Sequence, residues 1–367
     1  MKLIHTADIH LDSELSTHLS RERAKERRAE ILESFRRMVV WAQEEGVSAI
    51  LIAGDLFDTR SVRKGTRNMV LSAVTEHPGI DFYYLRGNHD EDSFLDTLEG
   101  RVPENLHLFG PSWVSYECRE DPRVVITGAE FSEAHPELYT TLSLDPERIN
   151  ICMMHGQETA AGSRSDADVI RLRELRYRSI DYLALGHIHS HREAPLDGRG
   201  VYVYPGCLEG RGFDEAGEKG FMLLETEAGS RGIRRSFVPF ARRTLYRVST
   251  DVTDLEDTPG AILRTERKIA ELGIPADAMV EVVLTGSRNA EAEFDPLQVG
   301  AALDGRFYFS RVKDETVLTV DYDSYEKDES LKGEFIRTVR RENTLSEEEK
   351  SAVIRCGIQA LRGEEIQ

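Results

Sequence analysis

Five short clusters of metal-seeking residues punctuate the first half of the chain. They read Asp8-Ile9-His10, Gly54-Asp55-Leu56-Phe57-Asp58, Gly87-Asn88-His89-Asp90, His155-Gly156 and Gly186-His187-Ile188-His189. Carboxylates, an amide oxygen and several imidazoles make up the mixed oxygen and nitrogen set that two adjacent divalent cations take. Asp8 and His10 can turn toward one ion. Asp55 has two oxygens and can bridge two ions, Asn88 offers a neutral oxygen, and His155, His187 and His189 offer nitrogens. Paired cations sit about 3.5–4 Å apart, acidify a water between them and offset charge on phosphoryl oxygens, which is the chemistry of phosphoester hydrolysis. His89 directly follows Asn88, so the two cannot easily serve the same ion. His89 is free to reach a substrate, with Asp90 as the hydrogen-bond partner that favours its cationic form. Such a group suits protonation of a leaving oxygen.

The elements that must position these clusters are legible around them. Each cluster follows an apolar run: LIHTA, AILIA, FYYLR, NICMM and YLAL. Ile31, Leu32, Phe35, Met38, Val39 and Ala42 form a stripe at helical spacing between the first two runs, a βαβ rhythm that predicts a sheet flanked by helices. Later runs (VVITGAEF, VYVYPG, FMLLET) are shorter and closer, and predict a second sheet packed on the first. Ligands at the carboxyl ends of strands are where open α/β sheets gather their sites. Residues 1–240 form this unit. From Ala241 the runs alternate as β-α-β-α-β to about residue 325, a small α+β domain. A polar stretch, Asp321 to Glu329, reads as a linker to two amphipathic helices in 326–367. Leu331, Phe335 and Val339 share a face of the first. Val353, Ile354, Ile358 and Leu361 share a face of the second, which opens on a Ser346-x-x-Glu349 capping box.

Composition narrows the class. With 40% hydrophobic and 31% charged residues among 367, the chain reads as globular. Four scattered cysteines without a Cys-x-x-Cys argue against a disulfide framework and a thiolate zinc site, and fit a reducing compartment. The opening MKLIHTADIH enters a strand with no leader pattern, and no run approaches a membrane span, so a cytoplasmic location with no membrane partner is expected. The net charge of −19 opposes a phosphate backbone at long range unless cations and a local basic patch reverse the field.

The ordered set D-x-H, G-D-x-x-D, G-N-H-D, H-G and G-H-x-H resembles the calcineurin-like metallophosphoesterase superfamily. LIHTADIHLD, GDLFDT and Tyr204-Pro205-Gly206 are similar to its SbcD-type DNA repair exonucleases, the bacterial relatives of the meiotic-recombination nuclease. YPGCLEGRGFDEAGEKGF and LKGEFIRTV are similar to a YhaO-like subgroup. The resemblance implies a four-layer α/β/β/α sandwich with a smaller α+β cap domain and C-terminal helices. It implies one manganese on Asp8, His10, Asp55 and His189, and another on Asp55, Asn88, His155 and His187. Fe²⁺ and Zn²⁺ also suit the set. His89 would be the catalytic histidine and Asp90 its orienting partner. Asp58 stands where some archaeal relatives carry histidine and takes a supporting role. Cys207 stands where relatives often carry Ser or Asn, and its thiol would make the site sensitive to oxidation. The implied activity is exonuclease on duplex DNA ends with endonuclease at single strands or hairpins. The implied partners are a second copy of the chain and an SbcC-like SMC-type ATPase docked on the C-terminal helices. Two alternatives stand beside it: a phosphodiesterase for a small nucleotide or nucleotide-lipid, and a non-enzymatic scaffold.

Remaining charged groups divide by context. Arg60, Arg63, Lys64 and Arg67 follow the Asp55 cluster and are candidate phosphate contacts. Arg21, Arg23, Lys25, Arg27 and Arg28 alternate with glutamates and read as a solvated helix. Met69, Val70, Ala73 and Val74 form either core or a dimer face. His5 reads as packed in its strand; His18, His77, His107 and His135 as solvated; His191 as a non-ligand.

Overall fold

A computed structural model describes residues 1–15, 19–58, 62–90, 94, 98, 101–130, 138–159, 169–227, 229–253, 255–289, 294–319, 325 and 327–362. The chain divides into two compact units, Met1–Thr244 and Leu245–Gln367. Strands of the first are β1 (Lys2–Thr6), β2 (Ala49–Ala53), β3 (Asp81–Leu85), β4 (Leu106–Leu108), β5 (Val114–Glu117), β6 (Val124–Gly128), β7 (Ile149–His155), β8 (Gln157–Thr159), β9 (Val169–Arg171), β10 (Tyr182–Gly186), β11 (Arg192–Pro195), β12 (Val201–Tyr204), β13 (Gly220–Thr226) and β14 (Ile233–Pro239). One six-stranded sheet runs β14-β13-β1-β2-β3-β4 and a second runs β11-β12-β10-β7-β6-β5. β1 to β4 pair in parallel, as do β6, β7, β10 and β12. Strands β2, β7 and β10, which lead into candidate ligands, are buried throughout, which explains why they read as continuous apolar runs rather than alternating ones.

Helices α1 (Arg21–Glu44) and α2 (Lys64–Thr75) cover the outer face of the first sheet. Ile31, Phe35, Met38 and Val39 of α1 and Val70, Ala73 and Val74 of α2 join Ile4, Ile50, Ile52 and Phe82 in one core. Each fully buried side chain of the larger kind contributes about 1.5–3 kcal/mol. Val70, Ala73 and Val74 are therefore used inside the unit rather than on a dimer face. A second core between the sheets joins Leu3, Leu51, Tyr83 and Leu85 to Ile126, Ile151, Met153, Tyr182 and Val203. A third lies outside the second sheet, where the short helices Leu138–Thr141 and Leu172–Leu175 pack. The layers are α/β/β/α.

The second unit carries β15 (Leu245–Asp251), β16 (Met279–Thr285), β17 (Ser287–Asn289), β18 (Phe309–Asp314) and β19 (Val317–Thr319). β15, β16 and β18 make a parallel sheet. Helices Thr258–Glu271 and Pro296–Leu303, each begun by an aspartate cap and a proline in the first turn, pack on Val280, Val282 and Leu284. On the other face Glu281 is buried between Arg247 and Arg311. Helices Leu331–Arg341 and Glu347–Arg362 close on Tyr325, Ile336, Val339, Ile354 and Ile358, with Phe335 beside them. Three expected face residues differ: Leu331 is 73% exposed, and Val353 and Leu361 are exposed too. Phe335 and Val339 of the expected stripe do pack, joined by Ile336 in place of Leu331. Gly357 permits it, since a Cβ there would lie 2.2 Å from the Phe335 ring. No described helix is long and apolar enough to cross a membrane.

Candidate metal centre

Parallel pairing puts the carboxyl ends of β1, β2, β3, β7 and β10 at one edge of the facing sheets, and the five clusters meet there. The turns after β1 and β2 run side by side, with Asp8 N donating to Gly54 O at 3.1 Å and His10 N to Asp55 O at 3.0 Å. Asp8, His10, Asp55 and His187 all adopt positive φ, at 51°, 49°, 52° and 104°. Non-glycine residues accept that strain where the surrounding structure over-determines them, and such residues cluster at functional sites. Two glycines make room. Gly54, at φ 91°, leaves no space for a Cβ against the His155 ring, and a Cβ on Gly87 would lie 2.1 Å from Asp55 Oδ1.

Ligand atoms of Asp8, His10 and His189 converge within 4.8 Å of one another, and so do those of Asp8, Asp55 and His155. His10 Nε2 lies 3.2 Å from His189 Nε2 and 3.7 Å from Asp55 Oδ2. His155 Nε2 lies 3.0 Å from Asn88 Oδ1 and 3.4 Å from Asp55 Oδ2. His187 donates its backbone N–H to Asp8 Oδ1 at 2.9 Å, and its ring sits 5.4 Å from that of His155. The geometry fits a pair of cations. His10 Nδ1 is 3.1 Å from Asp58, His189 Nδ1 is 2.7 Å from Glu215, and His155 Nδ1 is 2.9 Å from the Ala53 carbonyl. Each Nδ1 faces an acceptor and donates to it, which leaves each Nε2 pointing inward. The His10 and His189 Nε2 lone pairs, 3.2 Å apart, repel unless positive charge lies between them.

Electrostatics follow from this crowding. Burial raises the Asp8 pKa to about 6. Burial would also raise Asp55, but the His155 hydrogen bond and the charges of His155 and His10 bring it down to about 2. Burial works against a proton on His155, yet the Asp55 hydrogen bond and charge raise it to about 9. The pocket holds excess negative charge that a cation relieves.

His89 and Asp90 part company. His89 is exposed, donates its backbone N–H to Asp55 Oδ1 at 2.9 Å, and places Nδ1 3.0 Å from Asp58 Oδ1. Asp90 is buried, and its carboxylate accepts from the N–H groups of Phe57 (2.8 Å), Gly87 (2.9 Å) and Leu56 (3.2 Å). Burial raises Asp90 to about 7. The expected Asp90–His89 pairing is therefore corrected: Asp58 holds the imidazole, and Asp90 ties together the two loops that carry Asp55 and Asn88. Adjacent residues point to opposite sides of the turn, which a linear motif does not reveal.

Sequence reasoning also missed Arg211 and Glu215. Arg211 Nη2 donates to Glu215 Oε1 at 3.0 Å, and Nη1 lies 3.5 Å from Asp58 Oδ2. One guanidinium thus joins the two carboxylates that hold His10 and His189. Their i, i+4 spacing was the available signal, in a glycine-flanked stretch with no helical period. Cys207 is buried, with Sγ 3.5 Å from the His189 carbonyl; burial and then Glu215 push its pKa well above the usual thiol value. A protonated, enclosed thiol is unreactive, against the expected oxidation sensitivity.

Among the basic candidates, Arg60 lies outside the described residues. Arg63 donates its backbone N–H to Asp12 at 2.8 Å and begins α2; it and Lys64 are exposed, and Arg67 is half-buried. Arg27 is not solvated: it is buried against Glu209 at 3.0 Å and Glu30 at 2.5 Å. His5 bonds Tyr182 at 2.8 Å, and His191 stacks on Phe237. His107 is not solvated either; it stacks on Tyr83 and meets Asp81 at 3.0 Å. His77 Nδ1 meets the Ala73 carbonyl. His18 and His135 lie outside the described residues.

Residues 1–191 match the calcineurin-like phosphoesterase family. The chain belongs to that family. This phosphoesterase is 28% identical over 345 residues to the Bacillus subtilis protein named "Uncharacterized metallophosphoesterase YhaO", covering 86% of this chain and 82% of that one. It is 28% identical over 293 residues to the "DNA double-strand break repair protein Mre11" of Aeropyrum pernix, covering 73% and 68%. It is 26% identical over 272 residues to a component of the nuclease SbcCD of Escherichia coli K12, covering 62% and 65%. The family uses two divalent metals, and the phosphoesterase is a metal-dependent hydrolase.

Proposed function

We propose that this phosphoesterase hydrolyses phosphodiesters in DNA during repair, with manganese as its metal, as an exonuclease on duplex ends and an endonuclease at single strands and hairpins. The observation that carries the reading is the placement of His89: an exposed imidazole held by Asp58 beside a set of inward-facing ligands. Asp8, His10, Asp55 and His189 would hold one cation, and Asp55, Asn88, His155 and His187 the other. When bound, the cations would neutralise phosphoryl charge and supply the nucleophile. The Asp58 hydrogen bond, more than offsetting partial burial, raises the His89 pKa and favours its donor form. His89 would then protonate the leaving 3′- or 5′-oxygen. Its backbone N–H fixes Asp55, so acid and bridging ligand keep one geometry. Arg63, Lys64 and Arg67, with Arg60, would contact phosphates beside the site.

The name of the Mre11 relative supports DNA as substrate, and that of the SbcCD relative supports nuclease activity. The proposed partners are DNA, a second copy of the chain and an SMC-type ATPase docked on residues from Leu331 onward, in the cytoplasm, as the motif resemblance implies. The net charge of −19 favours a small nucleotide substrate instead. Hydrolysis of an end-labelled duplex with Mn²⁺, beside bis-p-nitrophenyl phosphate, separates the two. Wild type should cleave both. His89→Gln should bind both metals, lose DNA cleavage and keep more activity on the small diester, whose phenolate leaves without a proton. Cleavage of the small diester alone, even with the ATPase added, would refute the DNA reading.

A further inference from the structure

The segment RLRELRYRS, residues 171–179, joins β9 to β10 and carries four arginines against one glutamate in a chain of net charge −19. Leu172 and Leu175 turn its short helix inward, and Arg171, Arg173 and Arg176 are exposed. Arg173 and Arg176 have no carboxylate partner among the described residues. Tyr177 follows at φ 61° with 84% of its surface exposed. Left-handed backbone is disfavoured for a bulky residue, and glycine would adopt it freely. The turn is nonetheless fixed. Tyr177 N donates to Asp197 Oδ2 at 2.6 Å, while Asp197 Oδ1 accepts from Arg199 N at 2.8 Å and Gly200 N at 3.1 Å. A strained tyrosine whose ring buries almost nothing contributes little to the fold, so the use of that ring lies outside it.

We propose that Arg173, Arg176 and Tyr177 form a docking surface for single-stranded nucleic acid. The ring stacks on a base and the two guanidiniums pair with flanking phosphates. Aromatic faces stack on any base, and arginine forks match phosphate oxygens, so the surface is sequence-tolerant. It lies before the first residue of β10, and His187 follows the last. One strand of five residues, on the order of 17 Å, separates it from the metal ligands. A short oligonucleotide can occupy one of these places only, whereas a longer strand reaches both. The inference rests on DNA being the substrate and adds how a polymer is told from a small diester.

The test is fluorescence anisotropy with oligothymidines of about 5 and about 20 nucleotides. It is carried out in the His89→Gln background with Mn²⁺, which keeps the metal ligands. Tyr177→Gly should bind the long strand about tenfold more weakly and the short one unchanged, because stacking on one base is lost. Its Tm should be equal or higher, since glycine relieves the strained turn. Arg173→Ser with Arg176→Ser should flatten the salt dependence of long-strand binding by about 0.7 per phosphate contact removed. If the parent binds the long strand and both variants bind it equally well, this surface is refuted while the DNA reading stands. If the parent binds neither strand, the DNA reading itself fails and takes the surface with it.

Discussion

Asp58 Oδ1 lies 3.0 Å from His89 Nδ1, and the same oxygen is 3.1 Å from His10 Nδ1. One carboxylate therefore orients both the proposed acid and a proposed metal ligand. Asp58→Asn should lower kcat on DNA by about 10²-fold or more, the usual worth of a positioned acid. Asp58 raises the His89 pKa, so its loss should also move the alkaline limb of the rate profile to lower pH. Asp90→Asn should leave that limb where it is. A wild-type limb in Asp58→Asn would show that His89 is tuned by something else.

Glu215 should matter through the metal rather than the substrate. Its carboxylate fixes the His189 Nδ1–H at 2.7 Å, and such partners typically set metal affinity by about 10–100-fold. Titration calorimetry with Mn²⁺ should show that loss for Glu215→Gln at one of two sites. Unchanged affinity at both would place His189 outside the coordination set.

Gly54→Ala should abolish metal binding without unfolding the sheets. The added methyl would overlap the His155 ring, at a backbone φ of 91° that alanine resists. Metal content and far-ultraviolet circular dichroism together read this out. Two tightly bound ions in the variant would mean that His155 can relocate and still ligate.

The convergence of the proposed ligands was legible because each cluster follows a buried strand, and buried parallel strands announce themselves as unbroken apolar runs. Their pairing in parallel then leaves one edge where Asp8, Asp55, Asn88, His155 and His187 can end up. What stayed hidden depends on the direction of single side chains. Asp90 looked like the partner of His89 because it is adjacent, but the turn sends it inward to three backbone N–H groups. Asp58, Arg211 and Glu215 are brought together by loops of unrelated sequence. Arg27 sat in a run that looked solvated, and only Glu209, 182 residues away, shows why it is buried. Leu331 likewise gave way to Ile336 because two helices packing through Gly357 meet on a line that neither sequence specifies alone.

His5 offers a test of the interior that does not touch catalysis. It lies between the sheets, fully buried, with Nδ1 2.8 Å from the Tyr182 hydroxyl. Burial lowers its pKa from 6.5 to about 3, partly opposed by the Leu185 carbonyl. Between those values the unfolded chain binds a proton that the folded chain does not. Stability from this group is therefore full above about pH 6.5 and falls as pH drops toward 3, by about 1.4 kcal/mol per pH unit. Metal-free protein at pH 5 should lose about 2 kcal/mol to His5 relative to pH 7.5. Asp8, raised to about 6, takes up its proton in the folded state over part of that range and works the other way. The decisive quantity is therefore the difference in slope between wild type and His5→Phe in urea unfolding. His5→Phe also removes the Tyr182 contact, which shifts its stability at every pH but not the slope. Its curve should be flatter in the direction of lost acid sensitivity, and parallel curves would mean that His5 is protonated in the folded interior.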